Sequence, residues 1–106
     1  FLHNKTVRKI NMYTRYKLTL ANRVTIPVGA VVELEVNEQL SIPNNCYGMF
    51  FLRKSFAKLG VIQVVHSPFP SNWKGKPCVV VKNDSISDVE MVKGDDIGEV
   101  YCFGGV

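Results

Sequence analysis

Apolar and polar positions in this chain follow a period of two through most of its length. Val31-Val32-Glu33-Leu34-Glu35-Val36 alternates cleanly, which places Val32, Leu34 and Val36 on one face and Glu33 and Glu35 on the other. Lys17-Leu18-Thr19-Leu20 alternates too, ending at the turn Ala21-Asn22-Arg23. Val24-Thr25-Ile26 leads into Pro27 and the tight turn at Gly29, and Leu40 to Ile42 forms a short strand. After the turn signal Pro43-Asn44-Asn45, Cys46 to Leu52 is an apolar, aromatic-rich run that predicts another strand. Further strands are predicted over Val61 to Val65, Val79 to Lys82, Ile86 to Met91 and Ile97 to Phe103. One segment departs from the pattern: Phe56-Ala57-Lys58-Leu59 reads as a single helical turn that stops at Gly60. The stretch His66 to Pro77 carries Pro68, Pro70 and Pro77 and predicts an irregular loop, too long for a simple hairpin. Short strands at intervals of about 8–12 residues with one helical turn predict an all-β sandwich or barrel.

Composition narrows this picture. A chain of 106 residues has room for one core, and its 46% apolar content is ordinary for a globular protein. No apolar run approaches a membrane span and no secretory pattern opens the chain, so no membrane partner is expected. The sequence starts at Phe1 and stops at Val106, and it reads as an ordered piece of something longer. The net charge is +4, with Lys5, Arg8, Lys9, Arg15, Lys17 and Arg23 crowding the first quarter. Residues 1–16 are read as a solvated basic arm with a short strand near Ile10 to Tyr13, and residues 17–106 as a single β domain. Aromatic and basic residues do not interleave densely enough to predict a single-strand nucleic-acid groove. Three cysteines, Cys46, Cys78 and Cys102, lie in apolar segments without zinc or redox spacing. Their odd number argues against a disulfide framework and for buried thiols in an intracellular reducing compartment.

The chemistry-bearing stretch is Pro43 to Gly60. A strand that runs into Arg53-Lys54-Ser55 at the start of a helical turn offers cations, a hydroxyl and backbone N–H groups to an anion. The plain alternative is a helix-start serine beside two solvated cations.

Arg53-Lys54-Ser55-Phe56-Ala57-Lys58-Leu59-Gly60-Val61 resembles the phosphate-binding motif of the dUTPase and dCTP deaminase superfamily. Two other segments agree with it in order and spacing. Asn72-Trp73-Lys74-Gly75 followed by Cys78 to Asn83 resembles the family's aromatic-x-Gly, strand and Asn segment. Lys93-Gly94-Asp95-Asp96-Ile97-Gly98-Glu99-Val100 resembles its Gly-Asp-Arg-Ile-Ala/Gly-Gln motif. The resemblance runs from about Ile26 to Phe103. It implies a dUTPase-like distorted β-barrel of jelly-roll type with one short helical turn, assembled as a homotrimer with sites at the subunit interfaces. Arg53, Lys54 and Ser55 are then a remnant phosphate cradle, and Trp73 stands where a tyrosine stacks on the sugar.

The family's catalytic groups do not carry over. Asn11 to Leu18, matched to the early metal-associated aspartate motif, holds no carboxylate. Counting back from Gly75, the water-activating aspartate falls on Pro70, and no acid lies between Gly60 and Asn83. Neither proline nor phenylalanine takes a proton from water at neutral pH. His66 lacks an orienting carboxylate nearby in sequence. Glu99 replaces the phosphate-contacting glutamine and would repel a triphosphate unless a cation intervened. In the deaminase branch the catalytic glutamate falls on Val80. The expectation is a non-catalytic, trimeric module without cofactor, used by a virus as a structural or accessory component that binds another protein. Two alternatives stand beside it. One is a dUTP diphosphatase using Mg²⁺ and groups outside this chain, and the other is a nucleotide-binding protein that keeps only the cradle.

Overall fold

The computed structural model describes residues 10–105, so the first nine residues of the predicted basic arm lie outside it. Among the described residues ten strands and one helical turn follow in order: β1 (Ile10–Thr19), β2 (Val24–Ile26), β3 (Val31–Leu34), β4 (Leu40–Ser41), β5 (Cys46–Leu52), α1 (Lys54–Lys58), β6 (Val61–Gln63), β7 (Lys74–Gly75), β8 (Val79–Asn83), β9 (Val89–Met91) and β10 (Asp96–Gly105). They form four small sheets, β1-β10-β5, β2-β9, β3-β8-β6 and β4-β7, in which every pairing is antiparallel. Together they make an all-β distorted barrel closed around one core.

The period-two pattern explains the core. Leu18 and Leu20, Leu34 and Val36, Val79 and Val81, and Val100 and Cys102 each sit two residues apart and are all buried. Side chains of one parity in each strand therefore meet at the centre, where a large aliphatic residue contributes about 1.5–3 kcal/mol on burial. Ile26, Ile42, Met91 and Ile97 close the remaining space. The alternation Val32, Leu34, Val36 against Glu33, Glu35 appears as predicted, with both glutamates exposed.

Three differences from the sequence reading have physical causes. The two short strands expected near Ile10 to Tyr13 and Lys17 to Leu20 are one ten-residue strand, because β10 pairs along its whole length. The predicted strand over Val61 to Val65 stops at Gln63, leaving Val64 and Val65 exposed. Cys46 and Cys102 are buried as expected, but Cys78 is exposed. Parity decides this: Val79, Val81 and Asn83 of β8 point inward, so the even-numbered Cys78 points out.

The Cys78 thiol donates to Glu33 Oε2 at 3.5 Å. Partial desolvation and this carboxylate, both as hydrogen-bond partner and as a nearby negative charge, push the thiol pKa up. At neutral pH the thiolate fraction is accordingly low. In the native protein, disulfide-exchange labelling should modify Cys78 alone, more slowly than a free cysteine, and Glu33→Gln should speed it severalfold. Equal rates with and without Glu33 would remove the effect assigned to that carboxylate.

Candidate functional site

The end of β5 delivers Arg53 to the N-cap position of α1 in an extended conformation (φ −61°, ψ 135°) without a side-chain capping bond. Ser55 is thus the second residue of the helix, and the cap position belongs to Arg53. Two backbone bonds fix the corner: Arg53 N–H donates to Ile97 O at 2.8 Å, and Phe56 N–H to Arg53 O at 3.0 Å. Phe56 is buried and anchors the turn, and Gly60 ends it with φ 89°. So short a helix has little aligned dipole to offer an anion.

Arg53 and Lys54 line an open cleft of about 370 Å³ together with Lys17, Phe51, Asp96 and Glu99. Ser55 is exposed and is not among the residues lining it. Asp96 Oδ2 lies 3.6 Å from both Arg53 Nη1 and Lys17 Nζ. Arg15 Nε approaches Glu99 Oε2 at 3.2 Å, while the Tyr101 hydroxyl donates to Glu99 Oε1 at 2.9 Å. The cations are largely solvated, so each ion pair is worth about 0–1 kcal/mol. Asp96 opens β10 and faces the cleft, whereas its neighbour Asp95 lies in the preceding turn and accepts Val92 N–H at 3.0 Å.

The Mg²⁺ implied by the dUTP diphosphatase alternative would meet two carboxylates here, each already facing a cation. Among the described residues no group of three or more His, Cys, Asp or Glu side chains could hold a metal ion. The cleft does not suit a hard dication that needs several free oxygen ligands.

Trp73 lies elsewhere. The loop 66–77 folds back over its own chain: Gly48 and Phe69 exchange both backbone bonds, at 2.9 and 2.8 Å. Ile42 N–H donates to Trp73 O at 2.9 Å, and β7 pairs with β4. Beneath the loop is a slot of about 240 Å³ lined by Phe50, Gln63, Phe69, Pro70, Trp73 and Cys78, among others. Trp73 is half-buried, its ring centroid 4.9 Å from that of Phe69 at an interplanar angle of 54°. Part of its stacking face is therefore already covered by the loop's own phenylalanine.

Within one chain, the structure does not bring Arg53 and Lys54 together with Trp73, since the cleft and the slot share no lining residue. The sequence reading missed Gln63, whose Nε2 donates to Phe50 O at 3.3 Å and to Val65 O at 2.9 Å. It also missed the Arg15, Lys17, Asp96 and Glu99 grouping. The signal for that grouping is cross-strand register, Lys17 opposite Glu99 and Arg15 opposite Tyr101, which one strand read alone does not contain. His66 is exposed beside a different hollow, between β5 and β6.

The comparisons with known proteins agree with this architecture. The family profile described as dCTP deaminase-like matches residues 2–103. The mitochondrial deoxyuridine 5'-triphosphate nucleotidohydrolase of Homo sapiens is 29% identical over 87 residues, which is 82% of this chain and 34% of that protein. The Rattus norvegicus enzyme of the same activity is also 29% identical over 87 residues, 82% of this chain and 42% of that protein. The chain thus spans about a third to two fifths of these relatives. Among solved structures, the native EIAV dUTPase superposes with a TM-score of 0.75 at 15% identity, covering 92% of this chain and 88% of that one. The dUTPase of phage phi11 of S. aureus gives 0.73 at 11% identity, covering 91% and 88%. With the family profile matched over residues 2–103 and the superposition on solved dUTPases, this chain belongs to the dCTP deaminase-like family and has a dUTPase-like fold.

Proposed function

We propose that this chain is a non-catalytic dUTPase-like module, a structural or accessory component of a virus that assembles as a homotrimer and binds another protein. One observation carries the reading: the slot beneath the loop 66–77 has no carboxylate in its lining, and the position matched to the family's water-activating aspartate is Pro70. Hydrolysis of a triphosphate at neutral pH needs a group that takes the proton of the attacking water, and such a base contributes about 10²–10⁴-fold. The nearby Gln63 is an amide and bonds to two carbonyl oxygens. The free thiols Cys46, Cys78 and Cys102 suit the reducing compartment expected for such a component.

Support for the trimer comes from the outer face of β5 and β10. Tyr47, Phe51, Tyr101 and Phe103 form a continuous aromatic patch there, with neighbouring ring centroids 5.6 to 6.4 Å apart. Tyr47 and Phe51 are 45% and 49% exposed in the single chain. A patch of that kind is suited to burial against another copy.

The nucleotide-binding alternative draws on the placement of Lys17, Arg53 and Lys54 in one cleft, where weak ion pairs could be exchanged for a phosphate at little cost. Incubation with dUTP or dCTP and Mg²⁺ is expected to give no product above background, and light scattering on the same sample a mass of three chains. Turnover that persists on repurification overturns the non-catalytic reading, and a monomer overturns the trimer. Calorimetry with a non-hydrolysable dUTP analogue on the protein and on Arg53→Ala tests the cradle.

A further inference from the structure

We infer that the gap between β5 and β6 is a docking groove for an extended strand of a partner protein, a reading that rests on the binding-module proposal and specifies how the partner is held. Among the described residues both flanking strands are sheet edges: β5 has only β10 as its sheet neighbour and β6 only β8. Apart from the bridge between Gly48 and Phe69, no strand lies beyond β5 among the described residues.

Backbone directions follow from alternation along each strand. Gly48 bonds Phe69 on the side away from β10, so the N–H and C=O of Phe50 and Leu52 point out the same way. On the other side Val64 N–H bonds Val80 O of β8 at 3.1 Å, so the backbone groups of Val61, Gln63 and Val65 point into the gap. Two rows of hydrogen-bonding groups thus face one another, and among the described residues no backbone bond joins them. The Gln63 side chain stands between them and donates to a carbonyl on each side, Phe50 O and Val65 O. A side-chain amide here supplies part of what an intervening strand's backbone would supply. A strand seated between two others needs its flanking backbones about 10 Å apart, twice the usual spacing.

The groove itself is apolar. It has a volume of about 420 Å³, lined among others by Met49, Leu52, Ala57 and Val61. Leu59, Ile62, Val64 and Val65, close by in sequence at α1 and β6, are 38% to 53% exposed. Exposed β-branched residues beside an open edge are what folded proteins ordinarily blunt with charge or proline. An extended segment with apolar side chains at alternate positions satisfies both features, its backbone taking the edge groups and its side chains covering Ile62 and Val64.

The test uses the full chain and a fluorescent, end-blocked hexapeptide of alternating threonine and valine, with a second peptide N-methylated at alternate residues. The unmodified peptide should bind in the micromolar range. N-methylation, which removes donors and keeps the side chains, should weaken binding at least tenfold. Ile62→Lys should do the same, with an unchanged circular dichroism spectrum as the control for folding. Absence of binding at millimolar peptide overturns the inference, as does equal binding of the methylated form. So does protection of residues 61–65 from hydrogen exchange that rises with protein concentration alone, which would place a second copy in the groove. Turnover of dUTP by a chain that still binds the peptide would remove the non-catalytic reading and leave the groove standing. Failure of the peptide without turnover would do the reverse.

Discussion

Gly98→Ala should destabilise the fold by about 4 kcal/mol, from backbone strain of about 1–3 kcal/mol and overpacking of similar size. Gly98 has φ 151°, and a methyl group there would sit 2.2 Å from Phe51 O and 2.8 Å from the Phe50 ring. The ring can turn aside, but the carbonyl belongs to the paired backbone of β5 and cannot. The local register shows why the chain comes so close. Leu18 opposes Gly98 and Thr19 opposes Asp96, so a shift at this point leaves Ile97 as the extra residue driven into the core. For a chain of this size the loss corresponds to a fall in Tm of more than about 10 °C. Gly94→Ala is the matched control. Its φ is 89°, but nothing lies within 4 Å of the added carbon, so it should show the strain alone. Thermal unfolding of the two variants separates the terms. Similar Tm values for both would mean that the collision at Phe51 O is relieved by a movement not anticipated here.

This sensitivity at Gly98 also bears on the candidate site, because Gly98 lines the cleft between Asp96 and Glu99. The fold was legible where the signal is local. Cys46 to Leu52 reads as a strand from its composition and is one, and Gly60 stops the helical turn where the sequence places the stop. Features that depend on which strand lies beside which were not legible. Arg15 and Glu99 lie 3.2 Å apart across 84 positions of sequence, and no periodicity within either strand announces the pair. The short strand β7 escaped for another reason: the prolines around it mask a two-residue pairing with β4 that tertiary contact alone selects. Gln63 carried no signal as an isolated amide, and its meaning comes from two edges that meet only in the fold.

Asn83 is the buried polar residue on which one end of the barrel depends. Its side chain is 0% exposed. Its Nδ2 donates to Ile26 O at 2.8 Å and to Ser87 O at 2.9 Å. Its Oδ1 accepts Ser85 N–H at 3.0 Å and the Ser85 hydroxyl at 2.7 Å. Both donors and the acceptor capacity of the amide are thus used, tying β8 to β2 and to the turn 84–88. Asn83→Ala should cost about 3–5 kcal/mol, since it leaves the buried Ile26 O and the part-buried Ser87 O and Ser85 N–H without their partner, at about 1–3 kcal/mol each. Asn83→Asp separates hydrogen bonding from shape. Its first oxygen can still accept from Ser85, but its second would face the carbonyls of Ile26 and Ser87, and only a protonated carboxyl can donate to one of them. The folded state should therefore hold the proton more tightly than the unfolded chain, raising the aspartate pKa on folding. Stability of Asn83→Asp relative to Asn83→Ala should then be greatest at acid pH and fall as pH rises through the ordinary aspartate range and above. Denaturant unfolding of both variants at pH 4 and pH 7 reads this directly. A pH-independent difference between them would mean that the carboxylate has swung out to solvent and that the amide's two donated bonds are not what holds this end together.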